Sequence, residues 1–375
     1  MHYLDNAATT KPCISAVEAA MHCMTECFGN PSSLHAQGYA ARTILAGARA
    51  AVAGALQAKP EEILFTSGGT ESCNLALLGL SGTLKRRGRH IVTTRLEHPA
   101  VSESLAALQE QGYAVTAVPP DVHGRITPEA ILNALTPDTA LVSVILLSNE
   151  TGAVNPVTDI VRAVRATGCK ALFHTDAVQA FCKVPCTPRT LGVDLLTISA
   201  HKIGGLKGAG ALWHTPGLRL TPLARGGGQE RGLRSGTEAM PALAAFGAAC
   251  DARQQTLARD ITHMSALKER LLGGLYALDG ITVIPPHDAP HIVSLAVPGY
   301  PSEVMLRFLS DRSVYVSSGS ACHKGRRSET LIAMGLSARI MDSALRVSLS
   351  PVSTEEDIAA LLTALRAGLE TLAHN

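Results

Sequence analysis

Leu195-Leu196-Thr197-Ile198-Ser199-Ala200-His201-Lys202 is an apolar run that stops at a hydroxyl, an imidazole and an amine. Its length suits a buried strand, and the lysine arrives where the chain leaves the sheet. Upstream, Ala171-Leu172-Phe173-His174-Thr175-Asp176 is a second apolar strand, this one ending in a carboxylate. Taken singly, such a lysine is surface decoration and such an aspartate a turn or a helix cap. Together they are what an enzyme needs to hold an aldehyde cofactor, an amine for a Schiff base and an acid to keep a ring nitrogen protonated. The pair predicts a pyridoxal 5'-phosphate (PLP) site.

Strands and helices alternate around this pair. Ile63-Leu64-Phe65-Thr66 runs directly into Ser67-Gly68-Gly69-Thr70-Glu71-Ser72 and a helix expected from Cys73 to Leu80. Glycines let backbone N–H groups approach an anion and a helix N-terminus attracts it, so this turn is a candidate phosphate cradle. Strands follow at 91–94, 114–118 and 141–147, with helices near 99–110 and 128–135. The alternation predicts a mainly parallel sheet covered on both faces, with its chemistry at the strand C-terminal ends. His98 and Asn149 fall just after two of these strands; His98 is placed either to stack on a cofactor ring or to be an ordinary loop histidine.

At 375 residues the chain is long enough for two domains. Apolar residues make up 46% and charged residues 17%, which excludes a disordered chain. A net charge of +2 gives no electrostatic case for nucleic acid. The basic cluster Lys85-Arg86-Arg87-Gly88-Arg89-His90 lacks interleaved aromatics and reads as a solvated helix end. No apolar run approaches the ~20 residues of a membrane span. Met1-His2-Tyr3-Leu4-Asp5 has neither the basic nor the apolar region of a signal peptide, so a cytoplasmic protein is expected. Nine cysteines, an odd number, make no disulfide framework. Neither Cys23 with Cys27 nor Cys182 with Cys186 has a second pair or a histidine at zinc spacing, so no metal is expected.

Pro12 is expected to open a helix over 14–27, and a second helix to span roughly 36–57 with Arg42 and Arg49 on a solvated face. The run from Arg225 to Thr237 is too glycine-rich for an element interior and reads as a functional or mobile loop. A long Ala/Leu helix from about 240 to 275 leads to a smaller domain. That domain has strands near 281–285 and 291–297, a helix near 302–310 and a final helix over 354–372 capped by Ser353 and Glu356. Within it lies Ser317-Ser318-Gly319-Ser320-Ala321-Cys322-His323-Lys324-Gly325-Arg326-Arg327. A cysteine in so polar a loop, followed by basic residues, reads as a thiolate rather than a small buried hydrophobe. Arg346 sits in a strand-like run where a charge is out of place unless it binds one; a substrate carboxylate is the expected partner.

The motifs, in their order along the chain from Tyr3 to about Leu372, resemble those of the cysteine desulfurases, class V aminotransferases among the fold type I PLP enzymes. They are Leu4-Asp5-Asn6-Ala7-Ala8-Thr9-Thr10, Phe28-Gly29-Asn30-Pro31-Ser32-Ser33, Thr66 to Ser72, Glu97-His98, Asn149-Glu150-Thr151-Gly152, Asp176-Ala177-Val178-Gln179, Ser199 to Lys202, Arg231 to Thr237 and Ser317 to Cys322. The resemblance implies an α/β large domain over 15–254 with a mainly parallel seven-stranded sheet, and a smaller α+β domain made of 1–14 and 255–375. It implies that Lys202 holds the cofactor, Asp176 pairs with the ring nitrogen, Gln179 bonds the phenolic oxygen, and His98 stacks on the ring and exchanges protons. Gly69, Thr70, Ser199 and His201 would hold the phosphate, with Thr237 reaching in from the second subunit of a homodimer. Asn149 and Arg346 would bind the substrate carboxylate.

The implied reaction takes L-cysteine to L-alanine, with Lys202 moving the Cα proton and Cys322 keeping the sulfur as a persulfide. A protein acceptor, an iron–sulfur scaffold or a tRNA-thiolation protein, would collect it. Two departures stand out: Cys73 replaces the aspartate common in the family, and the basic stretch after Cys322 suits an acidic acceptor surface. Rival readings are a related PLP lyase acting on selenocysteine or cystine, and a non-catalytic binding protein. A cystine-cleaving enzyme has no need of Cys322, and intact Lys202, Asp176 and Cys322 speak against the binding protein.

Overall fold

The computed structural model describes residues 1–318 and 327–373. Seven strands form one sheet in the order Ile63–Thr66, Gly210–His214, Leu195–Ser199, Leu172–Asp176, Thr139–Ser143, His90–Thr94 and Ala114–Val118. Gly210–His214 runs antiparallel to both its neighbours, and the remaining pairs are parallel. The inner strands carry no polar alternation and are buried along their whole length, as strands covered on both faces must be. The edge strand Ala114–Val118 keeps only Val118 buried. Because the parallel strands point the same way, the turns carrying Gly69, His98, Asn149, Asp176 and Lys202 all leave the same edge of the sheet.

The helix Met240–Tyr276 is continuous over 37 residues, and its buried face serves two cores. Leu243, Phe246 and Cys250 pack with the large sheet. Met264, Leu267, Leu271 and Leu275 pack against an antiparallel sheet ordered Ser317–Ser318, Ala344–Ser348, Ile292–Ala296, Thr282–Ile284. The N-terminus crosses between the cores, with Leu4 in the second and Ala7 in the first. His2–Tyr3 pairs in parallel with Val314–Tyr315.

Several local details depart from the sequence reading. The first helix starts at Ile14 behind Cys13, past Pro12. The helix after Ile63–Thr66 starts at Gly69 rather than Cys73, so the glycine turn is itself the helix N-terminus. The final helix is capped by Thr354 and Asp357 in a reciprocal box, because the Ser353 hydroxyl is buried and accepts the Ser350 N–H. His90 is no part of a solvated helix end: it lies buried in its strand, between the hydroxyls of Thr139 and Thr116. Arg49 is not on a solvated face either. Its guanidinium lies 4.5 Å over the Phe65 ring and pairs with Glu230, which is buried and also accepts the Phe65 N–H at 2.8 Å. An arginine that gains a ring and a paired carboxylate can leave water where an isolated one cannot.

Candidate active site

After Ser199 the chain turns through a single 3-10 turn, Ala200–Lys202. The Lys202 amine donates to the carbonyls of Ala7 at 2.6 Å and Ala8 at 2.7 Å. The same N-terminal segment accepts the Gln179 Nε2 at Ala7 O, 2.8 Å away, and its Thr10 hydroxyl donates to the His201 carbonyl at 2.8 Å. Residues far apart in sequence therefore fix one amine, since a lysine has only donors to offer and both carbonyls are pure acceptors.

Asp176 closes the neighbouring strand and is buried. Its Oδ1 accepts the Val178 N–H at 2.8 Å, and the Cys73 thiol lies 3.9 Å from Oδ2. Burial pushes this carboxyl up, opposed by the Val178 N–H and by the charges of His98 and Lys202. His98 caps the helix Pro99–Glu110, its Nδ1 accepting the Ala100 N–H at 3.0 Å. That bond leaves Nε2 as the protonated nitrogen of a neutral ring. Burial lowers the imidazole further, Asp176 opposing and Lys202 adding. His201 is held down to about 4 by burial and then by Lys202, so it too is neutral near pH 7.

The residues fit PLP. Ser199 Oγ, Gln179 Oε1 and Arg346 Nε are buried with no partner among the described residues. An unmet buried donor or acceptor costs about 1–3 kcal/mol, so each is a place prepared for a polar ligand. The helix Gly69–Leu77 adds N–H groups that no side chain caps, with Thr70 exposed in its first turn. A Cβ on Gly69 would stand 2.9 Å from Val178 Cγ2, and one on Gly210 would stand 2.6 Å from the Gly68 backbone, so the cradle requires glycine at both. A phosphate, a ring nitrogen and an aldehyde would thus find a helix N-terminus, a buried carboxylate and an amine.

Arg346, on the strand Ala344–Ser348, is buried, with Nη1 donating to the Asn149 carbonyl at 2.8 Å and Nη2 to Asp5 Oδ1 at 3.0 Å. Asn149 therefore meets Arg346 through its backbone. Asp5, part of a quoted motif but given no role, is the anion that makes burial of the arginine tolerable. No sequence signal links residues 5 and 346. Glu150 is likewise raised by burial, against bonds from Ser328 and Thr330. Cys322, with Lys324 and Arg326, lies outside the described residues, but both flanks of its segment are placed. Ser317 pairs with Arg346 in the small sheet, and the Ser328 hydroxyl donates to Glu150. Arg327 is held by Asp342 through two bonds of 2.7 and 2.8 Å. Thr237 is exposed on the glycine-rich loop, at a groove of about 380 Å³ that Met24, Phe28 and Met240 help to line.

One buried group entered no motif. Lys183 is 7% exposed, and its Nζ has no hydrogen-bond partner among the described residues. Burial, then Lys202, brings its amine down to about 7. Unfolded, a lysine keeps its proton to about pH 10.4. The folded protein therefore gains stability from this site as pH rises from about 7 toward 10, and bears the full burden below 7. Lys183→Met should melt several degrees above wild type at pH 6.5, with the advantage fading by pH 10; thermal unfolding across that range checks it.

The class-V aminotransferase family profile matches residues 2–361. The chain is 36% identical over 364 residues to "Cysteine desulfurase IscS" of Methanosarcina thermophila, covering 96% of this chain and 90% of that protein. A solved NifS-like protein superposes with a TM-score of 0.93 at 36% identity, over 99% of each chain. The structure titled "SspA in complex with cysteine" superposes with a TM-score of 0.81 at 31% identity, over 94% of this chain and all of that one. With its amine, its acid and its phosphate cradle on one edge of a fold type I sheet, the chain belongs to the class-V aminotransferases and, within them, to the PLP-dependent cysteine desulfurases.

Proposed function

We propose that this desulfurase passes the sulfur of L-cysteine to Cys322 and releases L-alanine, as a homodimer in which Thr237 of each subunit serves the phosphate of the other. The observation that carries the reading is the grouping of Lys202, Asp176 and His98 with a buried arginine whose Nε–H is unmet. Bound PLP supplies an electron sink for the charge that develops at the substrate Cα. The chain's own residues do the rest. Lys202 would hold the cofactor, and its amine would take and return the Cα proton. Asp176 keeps the ring nitrogen protonated, and neutral His98 offers Nε2–H. Arg346 fixes the carboxylate while Asp5 and the Asn149 carbonyl hold its other nitrogens.

The Cys322 thiolate then bonds the substrate sulfur, the Cβ–S bond breaks, and the carbon takes a proton to become alanine. The described flank Ser317 pairs with Arg346 in the small sheet, which supports this assignment. Domains of 15–254 and of 1–14 with 255–375, meeting along Met240–Tyr276, would frame the cleft.

The homodimer reading draws support from an apolar surface on and after the first helix. Ile14, Met21, Met24, Phe28, Leu34 and Tyr39 are exposed there, Leu34 to 97%. A second copy covering this patch would remove it from water and seat Thr237 at the interface. No helix among the described residues is long and apolar enough to cross a membrane, and we place the protein in the cytoplasm.

The persulfide would go to an iron–sulfur scaffold or a tRNA-thiolation protein with an acidic docking face. Reversing the charges of Lys324 and Arg326 should slow sulfur transfer to such an acceptor several-fold and leave alanine release intact; an unchanged transfer rate removes the acidic-face reading. Arg327 is spared in that variant because its reversal would also break the pair with Asp342. The reading as a whole is tested by incubating the purified protein with L-cysteine and a reductant, where alanine and sulfide should appear in equal amounts. Turnover confined to selenocysteine or cystine would assign it to the neighbouring lyases, and no turnover to a binding role.

A further inference from the structure

Glu97 stands in the turn between the strand His90–Thr94 and the helix that His98 caps. Its Oε1 accepts two hydrogen bonds, from the Thr94 hydroxyl at 2.8 Å and from the Ile145 N–H at 2.7 Å. Ile145 lies just past the strand Thr139–Ser143, and the next residue, Leu146, donates its N–H to the Asp176 carbonyl at 3.0 Å. One carboxyl oxygen thus ties the His98 turn to the segment that flanks Asp176. The other, Oε2, is enclosed and has no partner among the described residues.

Among the described residues, the charged and titratable groups around it offer no cation in direct contact. Asp176 faces it from the end of its strand and raises it. Cys73, on the helix Gly69–Leu77, feels both carboxyls. His98 is its chain neighbour, and Lys202 acts on Asp176 and His98. An ionised Glu97 would put charge on an oxygen with no donor, beside a second buried carboxylate. A proton on Oε2 removes that charge and leaves Oε1 as the carbonyl acceptor that both bonds need.

We propose that Glu97 works as an uncharged carboxylic acid, a positioning residue that braces the His98 turn against the Ile145 segment and leaves Asp176 as the anion of the pocket. The assignment rests on the roles given above to His98 and Asp176. It accords with burial pushing the Glu97 acid up to about 8, opposed by its two hydrogen bonds and aided by Asp176. Unfolded, a glutamate loses its proton near pH 4.3. The folded protein therefore loses stability at this site as pH rises from about 4.3 to 8, and the loss is complete above 8. E97Q keeps the carbonyl acceptor and cannot ionise.

The test measures thermal unfolding of the apoprotein between pH 5 and 9, and binding of PLP to the apoprotein by absorbance titration at pH 7. E97Q should melt with wild type near pH 5 and several degrees above it at pH 8 to 9, and should bind PLP within about threefold of wild type because the brace is intact. E97L, which removes both bonds, should bind PLP roughly tenfold or more weakly. A constant offset between E97Q and wild type across the pH range would overturn the uncharged acid. E97Q binding as poorly as E97L would mean that the charge is required, and E97L binding like wild type would overturn the brace. The melting profile needs no cofactor, so it stands even if wild type fails to bind PLP, a result that would instead sink the reading of the site. If E97L does not fold, E97Q still decides the uncharged acid, and T94V, which removes one of the two bonds to Oε1, takes its place in the test of the brace: PLP binding unchanged in T94V would overturn the brace.

Discussion

Lys202→Ala should give a folded, colourless protein that releases alanine from L-cysteine at least ~10⁴-fold more slowly than wild type, the upper end of what a positioned proton-transfer group supplies. Two functions would go together, covalent attachment of the cofactor and movement of the Cα proton, and among the described residues no other amine stands ready to replace either. Lys183 is the nearest substitute by chemistry, but it is enclosed on its own turn and contacts neither the Ala7 nor the Ala8 carbonyl. Folding should survive, because the Ala7 carbonyl keeps its bond from Gln179 Nε2 and the strand Leu195–Ser199 is buried through its apolar residues. The absorbance of the purified variant and its alanine release are the readouts. A yellow variant with more than about 1% of wild-type turnover would take the amine out of the role assigned to it.

Cys322→Ala separates the two halves of the reaction. The variant should bind PLP as wild type does and change colour with L-cysteine, since Lys202, Asp176 and Arg346 are untouched. Its sulfide release should fall by at least ~10³-fold, because the nucleophile that takes the sulfur is gone. The candidate rescuers are poor nucleophiles: burial pushes Cys182 beyond the range of ordinary thiols and Cys186 up to about 12, and raises Cys73 well above its usual value. Undiminished sulfide release would make Cys322 structural and the enzyme a lyase of another kind.

Much of this protein was open to reading along the chain, because the features concerned are local. A run such as Leu195 to Ser199 is buried on both faces and so shows no alternation, and a strand of that kind between helices implies a parallel sheet. The lysine and aspartate at two strand ends, the glycines before a helix and the histidine at a helix cap are set by chemistry within a few residues. Boundaries were read less well where a competing bond decided them. Ser353 would cap the last helix were its hydroxyl not already turned toward Ser350, and the Gly68–Gly69 turn became the helix itself.

By itself, then, the sequence determined the sheet type and the cofactor class, and it singled out the residues proposed here to touch the cofactor. Only the tertiary structure decided their states and their partners. Asp5 finds Arg346 across 341 positions, the Ala7 and Ala8 carbonyls find Lys202, and Glu230 draws Arg49 out of solvent. Nothing in the neighbouring residues signals those encounters, since they follow from which loops share one edge of the sheet. The same holds for charge: Glu97 and Lys183 are ordinary ionisable residues in the chain. They become a neutral acid and a half-neutral amine because folding takes them out of water without giving either a charge to pair with.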